Sequence, residues 1–272
     1  MRNGAVYFAI GFLAMSGAAS AQNTEAIQSR TLLLPGSVNA SVGTLVPGER
    51  GNVLSSVTTE QGFTPFRIGR MFVVGFANVG VRHDTDGLPW NRAVPATAGI
   101  KFVTMTRGGM FQGVVGAHAY VRDDVMDVSK AVYATYWHGW RGDIGSARSI
   151  IAPAAFPGYA YGSTGLVTAA EPDNWITSVS LQQGVTVLRY RGTSLIPFVG
   201  ASGGVDTAGY NWNNRARLDG GVKVTREVLS GVIDIGMAHR RELDHLTGTS
   251  RTAPVVFVNF WLGWSPAVGA AR

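Results

Sequence analysis

The 272-residue chain carries 23 basic and 17 acidic side chains, a formal net charge of +6, and has no cysteine. Without cysteine, a disulfide scaffold and thiolate chemistry are excluded. Charged residues make up only 15% of the chain and no run of Lys or Arg occurs, which argues against nucleic acid as a partner. The 10% share of aromatic residues is also not that of a disordered chain.

The first 21 residues have the three parts of a secretory signal peptide. Arg2 gives a basic start, residues 5–15 form an apolar stretch, and Ala19-Ser20-Ala21 offers a cleavage site of small residues. The apolar stretch is shorter than the roughly 20 residues that a membrane-spanning helix needs. We therefore expect export from the cytoplasm, with residues 22–30 as a polar lead-in to the folded part.

One stretch of the sequence occurs twice, because residues 84–91 (DTDGLPWN) recur as residues 206–213 (DTAGYNWN) at a constant spacing of 122. The residues of this repeated turn that we single out are Asp84, Gly87, Trp90, Asn91, Asp206, Gly209, Trp212 and Asn213. A repeat of this length is too long for a solenoid unit. We predict two duplicated halves, residues 31–141 and 157–265, with a linker at 142–156 and a tail at 266–272.

Side chains alternate between apolar and polar along most of the mature chain, as in residues 175–188 and 256–264. This two-residue period is typical of strands with one apolar and one polar face. The polar face would be the solvated outside of a soluble sandwich, but the lumen of an outer-membrane barrel. The export signal, the aromatic strand ends and strand lengths near the roughly 9–11 residues of a spanning strand favour the barrel.

Each half shows five clear strands, which gives ten. A sixth candidate in each half, at 37–46 and at 159–168, raises the total to twelve. With twelve strands, short turns at 67–70, 106–109, 189–192 and 226–230 alternate with longer loops at 83–92, 123–129, 206–215 and 241–252. Short periplasmic turns and longer external loops are typical of outer-membrane barrels. We predict an all-β antiparallel transmembrane barrel of twelve strands, with ten as the alternative and both termini in the periplasm.

The repeated turn could hold Ca²⁺, since carboxylate and amide oxygens in a Gly-bearing loop are suitable ligands. The second copy, however, replaces Asp86 by Ala208. We favour a structural interpretation, in which Asp caps the turn, Gly takes a positive φ and Trp lies at the lipid head groups. The five histidines show no spacing typical of zinc ligands. No metal or cofactor is expected.

The charged positions of the strands are the strongest functional signal. The ten predicted lumen-lining residues are Glu60, Lys101, His118, Arg122, Arg217, Asp219, Lys223, Asp234, Arg240 and Glu242, with Asp206 as a further partner for the basic groups. These side chains either pair with one another and fill the barrel, or line a channel whose basic groups pass anionic solutes. A barrel of twelve strands is compatible with both.

A catalytic group of nucleophile, base and orienting residue is not evident in the sequence. Ser178 and Ser180 share the predicted lumen face and are therefore not placed beside lipid. We expect no enzyme, and a lipid-modifying barrel enzyme is the third alternative.

Residues 52–140 and 174–264 resemble outer-membrane β-barrels of Gram-negative bacteria. The elements Asn-x-Leu/Ile, Gln-Gly, Trp-Asn, Gly-x-Lys and Trp-x-Gly-Trp are also similar to those of barrels found with exopolysaccharide secretion systems. Residues 256–264 look like the aromatic strand that the outer-membrane assembly machinery reads. The resemblance implies a location in outer-membrane lipid and a conduit for small or anionic solutes, for saccharides or for an exported polysaccharide. The alternative is a surface recognition or structural barrel, such as a phage receptor.

Overall fold

A computed structural model describes residues 32–44, 52–86, 92–122, 125–140, 155–166, 173–210, 213–265 and 267–268. The strands are β1 (Leu32–Leu33), β2 (Gly36–Gly43), β3 (Leu54–Ile68), β4 (Met71–Asp84), β5 (Val94–Thr106), β6 (Gly109–Arg122), β7 (Val125–Trp140), β8 (Gly158–Leu166), β9 (Ile176–Gly184), β10 (Leu188–Tyr190), β11 (Thr193–Asp206), β12 (Arg215–Val228), β13 (Gly231–Asp244), β14 (Ser250–Trp264) and β15 (Ala267–Val268). Within these ranges, no helix is long and apolar enough to cross a membrane.

Twelve strands form one closed antiparallel ring. From β2 to β9, each strand pairs with its neighbour in chain order. β9 then pairs with β11, and the order continues from β11 to β14. The ring closes where β14 pairs with β2, from Phe257 opposite Gly43 to Trp264 opposite Gly36. A closed ring leaves no strand with an unpaired edge. The predicted twelve-stranded antiparallel barrel is therefore confirmed.

The sixth strand of each half is present, at Gly36–Gly43 and Gly158–Leu166. The predicted strand at 175–188 is interrupted instead. β9 ends at Gly184, and pairing with β11 resumes only at β10. The predicted loops at 123–129 and 241–252 are too long, since the ladders extend to Arg122 opposite Val125 and Leu243 opposite Ser250. The tail also differs from our prediction, because β15 pairs with β1.

The two ends of the barrel differ in their connections. At one end, here called the turn end, two residues connect each of four hairpins, at 69–70, 107–108, 191–192 and 229–230. Gly69, Gly108 and Gly192 have positive φ angles there, which glycine adopts without steric cost. The other end, the loop end, carries most of the longer connections, including 207–214. There are two exceptions, since residues 141–157 connect β7 to β8 at the turn end and only two residues separate β6 from β7 at the loop end. β2 begins and β14 finishes at the turn end, as predicted for strands that start and stop on one side.

The ladder register separates an inward from an outward face in each strand. Val179, Val199, Leu218 and Met237 face outward and expose between 58% and 64% of their surface. Inward positions are polar or packed, and the most buried include several charged residues. Apolar side chains outside and buried charges inside are the reverse of a soluble protein and are typical of a transmembrane β-barrel.

The interior is not lined by polar residues alone. Phe198, Ala238 and Val255 form a buried cluster on inward positions of β11, β13 and β14, and Phe257 packs against it. The rings of Phe198 and Phe257 meet edge to face, with centroids 6.1 Å apart. This cluster narrows the lumen on one side of the barrel.

We predict that Val199→Arg destabilises the folded barrel in lipid vesicles by about 2–4 kcal/mol, because it places a cation near the middle of the lipid-facing surface. Val205→Arg is the matched control, since Val205 faces outward on the same strand but lies beside its loop-end terminus. Its expected cost is only about 0–1 kcal/mol. Urea titration in vesicles measures both, and an equal, negligible effect would contradict a lipid-facing exterior.

Candidate functional site

All ten predicted lumen-lining residues occupy inward positions of the barrel, on β3, β5, β6, β12 and β13. The structure brings eight of them together in direct ion pairs. These pairs are Glu60 with Lys101, Arg217 with Glu242, Asp219 with Arg240, and Lys223 with Asp234. The other two are His118, which bonds to the Thr97 hydroxyl, and Arg122, which ends β6 at the loop end.

The densest ion pairing lies between β12 and β13. Arg240 binds Asp219 through two parallel bonds, Nε to Oδ1 at 2.7 Å and Nη2 to Oδ2 at 2.8 Å. Towards the loop end, Glu242 accepts hydrogen bonds from Arg215 at 2.5 Å and from Arg217 at 2.7 Å. Bonds between guanidinium and carboxylate are among the strongest in proteins. Among the five charged side chains that these bonds join, three are basic and two are acidic.

Two lysines occupy matching sites in the two halves of the barrel. Lys101 pairs with Glu60, and its Nζ lies 4.2 Å from the centroid of the Phe76 ring. The lysine 122 residues later, Lys223, has an equivalent environment. Its Nζ donates to Asp234 Oδ2 at 2.8 Å and Gln182 Oε1 at 2.9 Å, and lies 5.9 Å from the ring centroid of Phe198.

The carboxylate that pairs with the lysine lies at a different one of two flanking positions in each site. Around Lys101, the acidic residue is Glu60 on β3, and position 112 on β6 is Gln. Around Lys223, the position equivalent to 60 is Gln182, and the position equivalent to 112 is Asp234. Each lysine therefore has one acidic and one amide residue at the same two flanking positions. An ammonium group without a carboxylate beside it would be costly in this interior, so each lysine needs one acidic residue at one of these two positions.

Part of the network remains accessible to water inside the barrel. The side chains of Glu60, Asp219, Arg217 and Arg240 keep 27%, 19%, 16% and 16% of their surface exposed. Since these side chains face inward, the exposed surface lies in the lumen. In contrast, the Asp234 and Glu242 side chains retain only 3% and 4%.

Three inward tyrosines on β7 and β8 were missed in the sequence. Tyr133, Tyr159 and Tyr161 face the lumen, as shown by their pairing with inward residues of β6 and β9. The phenol of Tyr133 is within electrostatic range of Glu60, and that of Tyr159 is within range of Arg240. The alternation of Tyr159 and Tyr161 with Ala160 and Gly162 was the available signal. The tyrosines add hydroxyl groups to the wall between the ion pair of β3 and β5 and those of β12 and β13.

In the second copy of the repeated turn, hydrogen bonds converge on one carboxylate. Asp206 was expected to pair with lumen bases, but its carboxylate accepts bonds from the side-chain amides of Asn174, Asn213 and Asn214 at 2.6–2.9 Å. It also accepts the backbone N–H groups of Gly209 and Tyr210. The φ angle of Gly209 is +72°, as a capped turn requires. The acidic side chain caps the loop.

The first copy of the turn shares part of this arrangement. Asn52 Oδ1 accepts the Thr85 hydroxyl at 3.3 Å and the Asp86 N–H at 3.4 Å. Asn174 Oδ1 accepts the Thr207 hydroxyl at 3.3 Å and the N–H of residue 208 at 3.1 Å. Asp84 is fully buried. Gly87, Trp90, Asn91 and Trp212 lie outside the described residues, as do the predicted signal peptide, lead-in and linker through residue 154.

The Trp-x-Gly-Trp and Gln-Gly motifs meet at the turn end of the barrel. Trp140 Nε1 donates to Gln183 Oε1 at 2.9 Å, and Trp264 Nε1 donates to Gln61 Oε1 at 3.2 Å. Both glutamines in turn donate to the carbonyl of a proline, Pro157 or Pro35. Each bond connects the last strand of one half to the second strand of the other half. Spacing alone did not reveal this contact.

Among the described residues, no group of three or more His, Cys, Asp or Glu side chains could hold a metal ion. The serines considered as nucleophiles, Ser178 and Ser180, are buried on the inward face of β9. Ser178 shares a hydrogen bond of 2.7 Å with Ser163. These hydroxyls therefore belong to the lining of the wall.

No protein-family model matches the chain, and no curated protein matches it. Among solved structures, the chain is similar to the β domain of the Bordetella autotransporter BrkA, with a TM-score of 0.38 and 11% identity over 86% of this chain and 98% of that one. It is also similar to an outer-membrane channel from Pseudomonas putida F1, with a TM-score of 0.35 and 9% identity over 89% and 98%. The outer-membrane protein OmpT of Vibrio cholerae scores 0.34, with 8% identity over 90% and 100%. These similarities are too distant to assign a role.

We predict that Glu60→Gln destabilises the barrel by about 1–3 kcal/mol, because it leaves the Lys101 ammonium without its carboxylate. Adding Gln112→Asp, the acidic residue of the other half at the equivalent position, should restore most of the loss. Gln112→Asp alone is the control and should not stabilise the protein. Urea unfolding in vesicles measures the stability of the two single variants and the double variant. A double variant no more stable than Glu60→Gln would contradict the idea that a carboxylate at position 112 can replace Glu60.

Proposed function

We propose that the protein is an outer-membrane barrel of a Gram-negative bacterium that forms a narrow conduit for small anionic solutes. The observation that carries this proposal is the water-accessible row of charged side chains inside a closed barrel with an apolar exterior. Glu60, Asp219, Arg217 and Arg240 all retain exposed surface in the lumen. A barrel held only by packing would not need such groups, since well-packed apolar residues can replace buried ion pairs without loss of stability.

The preference for anions rests on the sharing of Glu242. Two guanidinium groups, those of Arg215 and Arg217, bind this one carboxylate. Rings of arginine and lysine select for anions in pores. The inward phenols of Tyr133, Tyr159 and Tyr161 provide hydroxyl groups on β7 and β8. Anionic saccharides combine a negative charge with many hydroxyls, so they fit this wall better than inorganic ions do.

Internal duplication is part of the same proposal. The lysine sites, the Asn52 and Asn174 turns and the Trp–Gln bonds each occur twice at matching positions. We infer that one ancestral half was copied and that the halves then diverged in charge placement. The motifs shared with exopolysaccharide-associated barrels make an exported polysaccharide the substrate class to test first. Insertion would follow recognition of residues 256–264 by the assembly machinery.

We predict that Asp219→Asn increases the anion preference of single channels in planar bilayers, because Arg240 then loses its bidentate partner. Under a KCl gradient, the reversal potential should move towards the chloride equilibrium potential. Lys130→Gln is the control, since it removes a charge from an exposed outward position of β7. A bilayer that stays silent with the folded protein, or an equal shift in both variants, would contradict the conduit.

Surface recognition is the second candidate function, and the organisation of one loop favours it. At the base of the loop after β11, the Asp206 carboxylate accepts hydrogen bonds from the side-chain amides of Asn174 and Asn214 and from the N–H group of Gly209. Five hydrogen bonds to this one carboxylate brace the described part of the loop. Preorganised loops bind partners at a lower entropic cost.

We predict that Asp206→Ala loosens this loop and increases backbone hydrogen exchange across residues 207–210, because each bond to a charged group contributes about 1.5–3 kcal/mol. If the loop is a recognition surface, phage or partner adsorption to cells falls while conductance is unchanged. Adsorption that persists on a loosened loop would remove this candidate. Thr247→Ala, in the exposed loop between β13 and β14, serves as the loop control.

A further inference from the structure

A pocket of about 480 Å³ opens near the loop end, where the pairing of β4 with β5 is interrupted. The ladder runs to Val79 opposite Ala96 and resumes only as a bridge between Arg82 and Ala93. Pro95 lies in this gap and has no N–H group to donate. Residues from both faces of the wall line this pocket, with Arg82 and Arg122 on inward positions and His83 and Arg92 on outward ones.

The pocket combines four basic side chains with apolar walls. Arg82, His83, Arg92 and Arg122 line it, and no acidic side chain is among the described residues that do. The remaining lining includes three outward-facing valines, Val81, Val94 and Val121, which expose 56%, 38% and 36% of their surface. His83 and Arg92 are themselves exposed. A concentration of basic groups beside an apolar surface suits a ligand that is both anionic and amphipathic.

The basic cluster is not a consequence of the barrel fold. At the positions 122 residues later, the second half has Gly204, Val205, Asn214 and Asp244 in place of the four basic residues. The strand pairing differs there as well, because β11 and β12 pair without a break as far as Gly203 opposite Ala216. The first half therefore carries two additional features, the gap in the ladder and the basic residues.

The pocket continues into an apolar groove on the outer surface. Val81 and His83 also line this second cavity of about 290 Å³, which extends over β3, β2 and β14. Its walls include Val42, Val57 and Phe260. Val42 and Val57 face outward, where an acyl chain would lie. The basic groups are therefore placed at the loop-end terminus of an apolar groove.

We propose that this pocket binds one membrane lipid through a phosphate group of its head, with an acyl chain along the adjoining groove. The argument rests on the proposed placement of the apolar exterior in lipid, but not on conduction. His83 and Arg92, which lie on the outward face and are exposed, would bind the phosphate oxygens, Arg92 through its guanidinium group. The valines and Phe260 would cover the lipid chain. The site lies at the level of the loops, where head groups of the outer leaflet are expected.

The experiment is native mass spectrometry of the detergent-purified barrel with phosphatidic acid as the probe. We expect one tightly bound lipid, and binding about tenfold weaker in the double variant His83→Val with Arg92→Asn, which carries the residues of the second half. His239→Ala with Arg241→Asn is the matched control. It removes one histidine and one arginine from exposed outward positions of β13, four strands away, and should bind like the wild type.

Three further results would overturn the proposal. Equal binding of phosphatidylcholine would show that charge is not recognised, and equal binding of glycerol phosphate would identify a soluble anion instead of a lipid. An equal loss in the two double variants would indicate general surface electrostatics. Each variant is checked for folding by its heat-dependent mobility on gels, and Arg92→Asn alone replaces the double variant if that fails to fold. Conductance of the same variants should stay unchanged, so failure of the conduit and failure of the lipid site are distinguishable.

Discussion

The pairing of charges inside a closed ring is the constraint on which the rest of the structure depends. Because β14 pairs with β2, each strand has one face towards the lumen and one towards the surroundings. The outward face is apolar along the middle of the strands, so charged side chains at those levels have only the interior in which to lie. There they require partners, since an isolated charge in a medium of low polarity is strongly unfavourable. The Lys101, Lys223 and Glu242 clusters are local solutions to this requirement.

The ion-pair clusters differ in how far they exclude water, and the proposed function depends on the pairs that remain accessible to it. Asp234 and Glu242 are almost fully enclosed by their partners, whereas Glu60 and Asp219 keep surface in the lumen. In the proposed conduit, the accessible pairs are those that a passing ion would contact, whereas the enclosed pairs would be out of its reach. One wall of the barrel is also filled by the Phe198 cluster. The proposed conduit is therefore narrow.

Much of the fold could be predicted from the sequence because a two-residue period fixes which face a side chain occupies. The ten lumen candidates all lie on inward positions for that reason. Their partners were not predictable, since the Glu60–Lys101 pair joins residues 41 apart on strands that are two places apart in the ring. The role of Asp206 was also misjudged, because its position at a strand end gives it access to loop amides. The Trp–Gln bonds depend on ring closure, which no local pattern specifies.

The central claim is that lipid surrounds the apolar face and that the charged face encloses water. The chain has no cysteine, so a single introduced cysteine can carry a nitroxide label at any chosen site. Electron paramagnetic resonance on the reconstituted protein then compares collisions with oxygen and with a water-soluble nickel complex at successive positions of β11. The account predicts dominant oxygen collisions at Pro197, Val199 and Ala201, and lower oxygen access at Phe198 and Gly200. Dominant nickel collisions at Pro197, Val199 and Ala201 would contradict it.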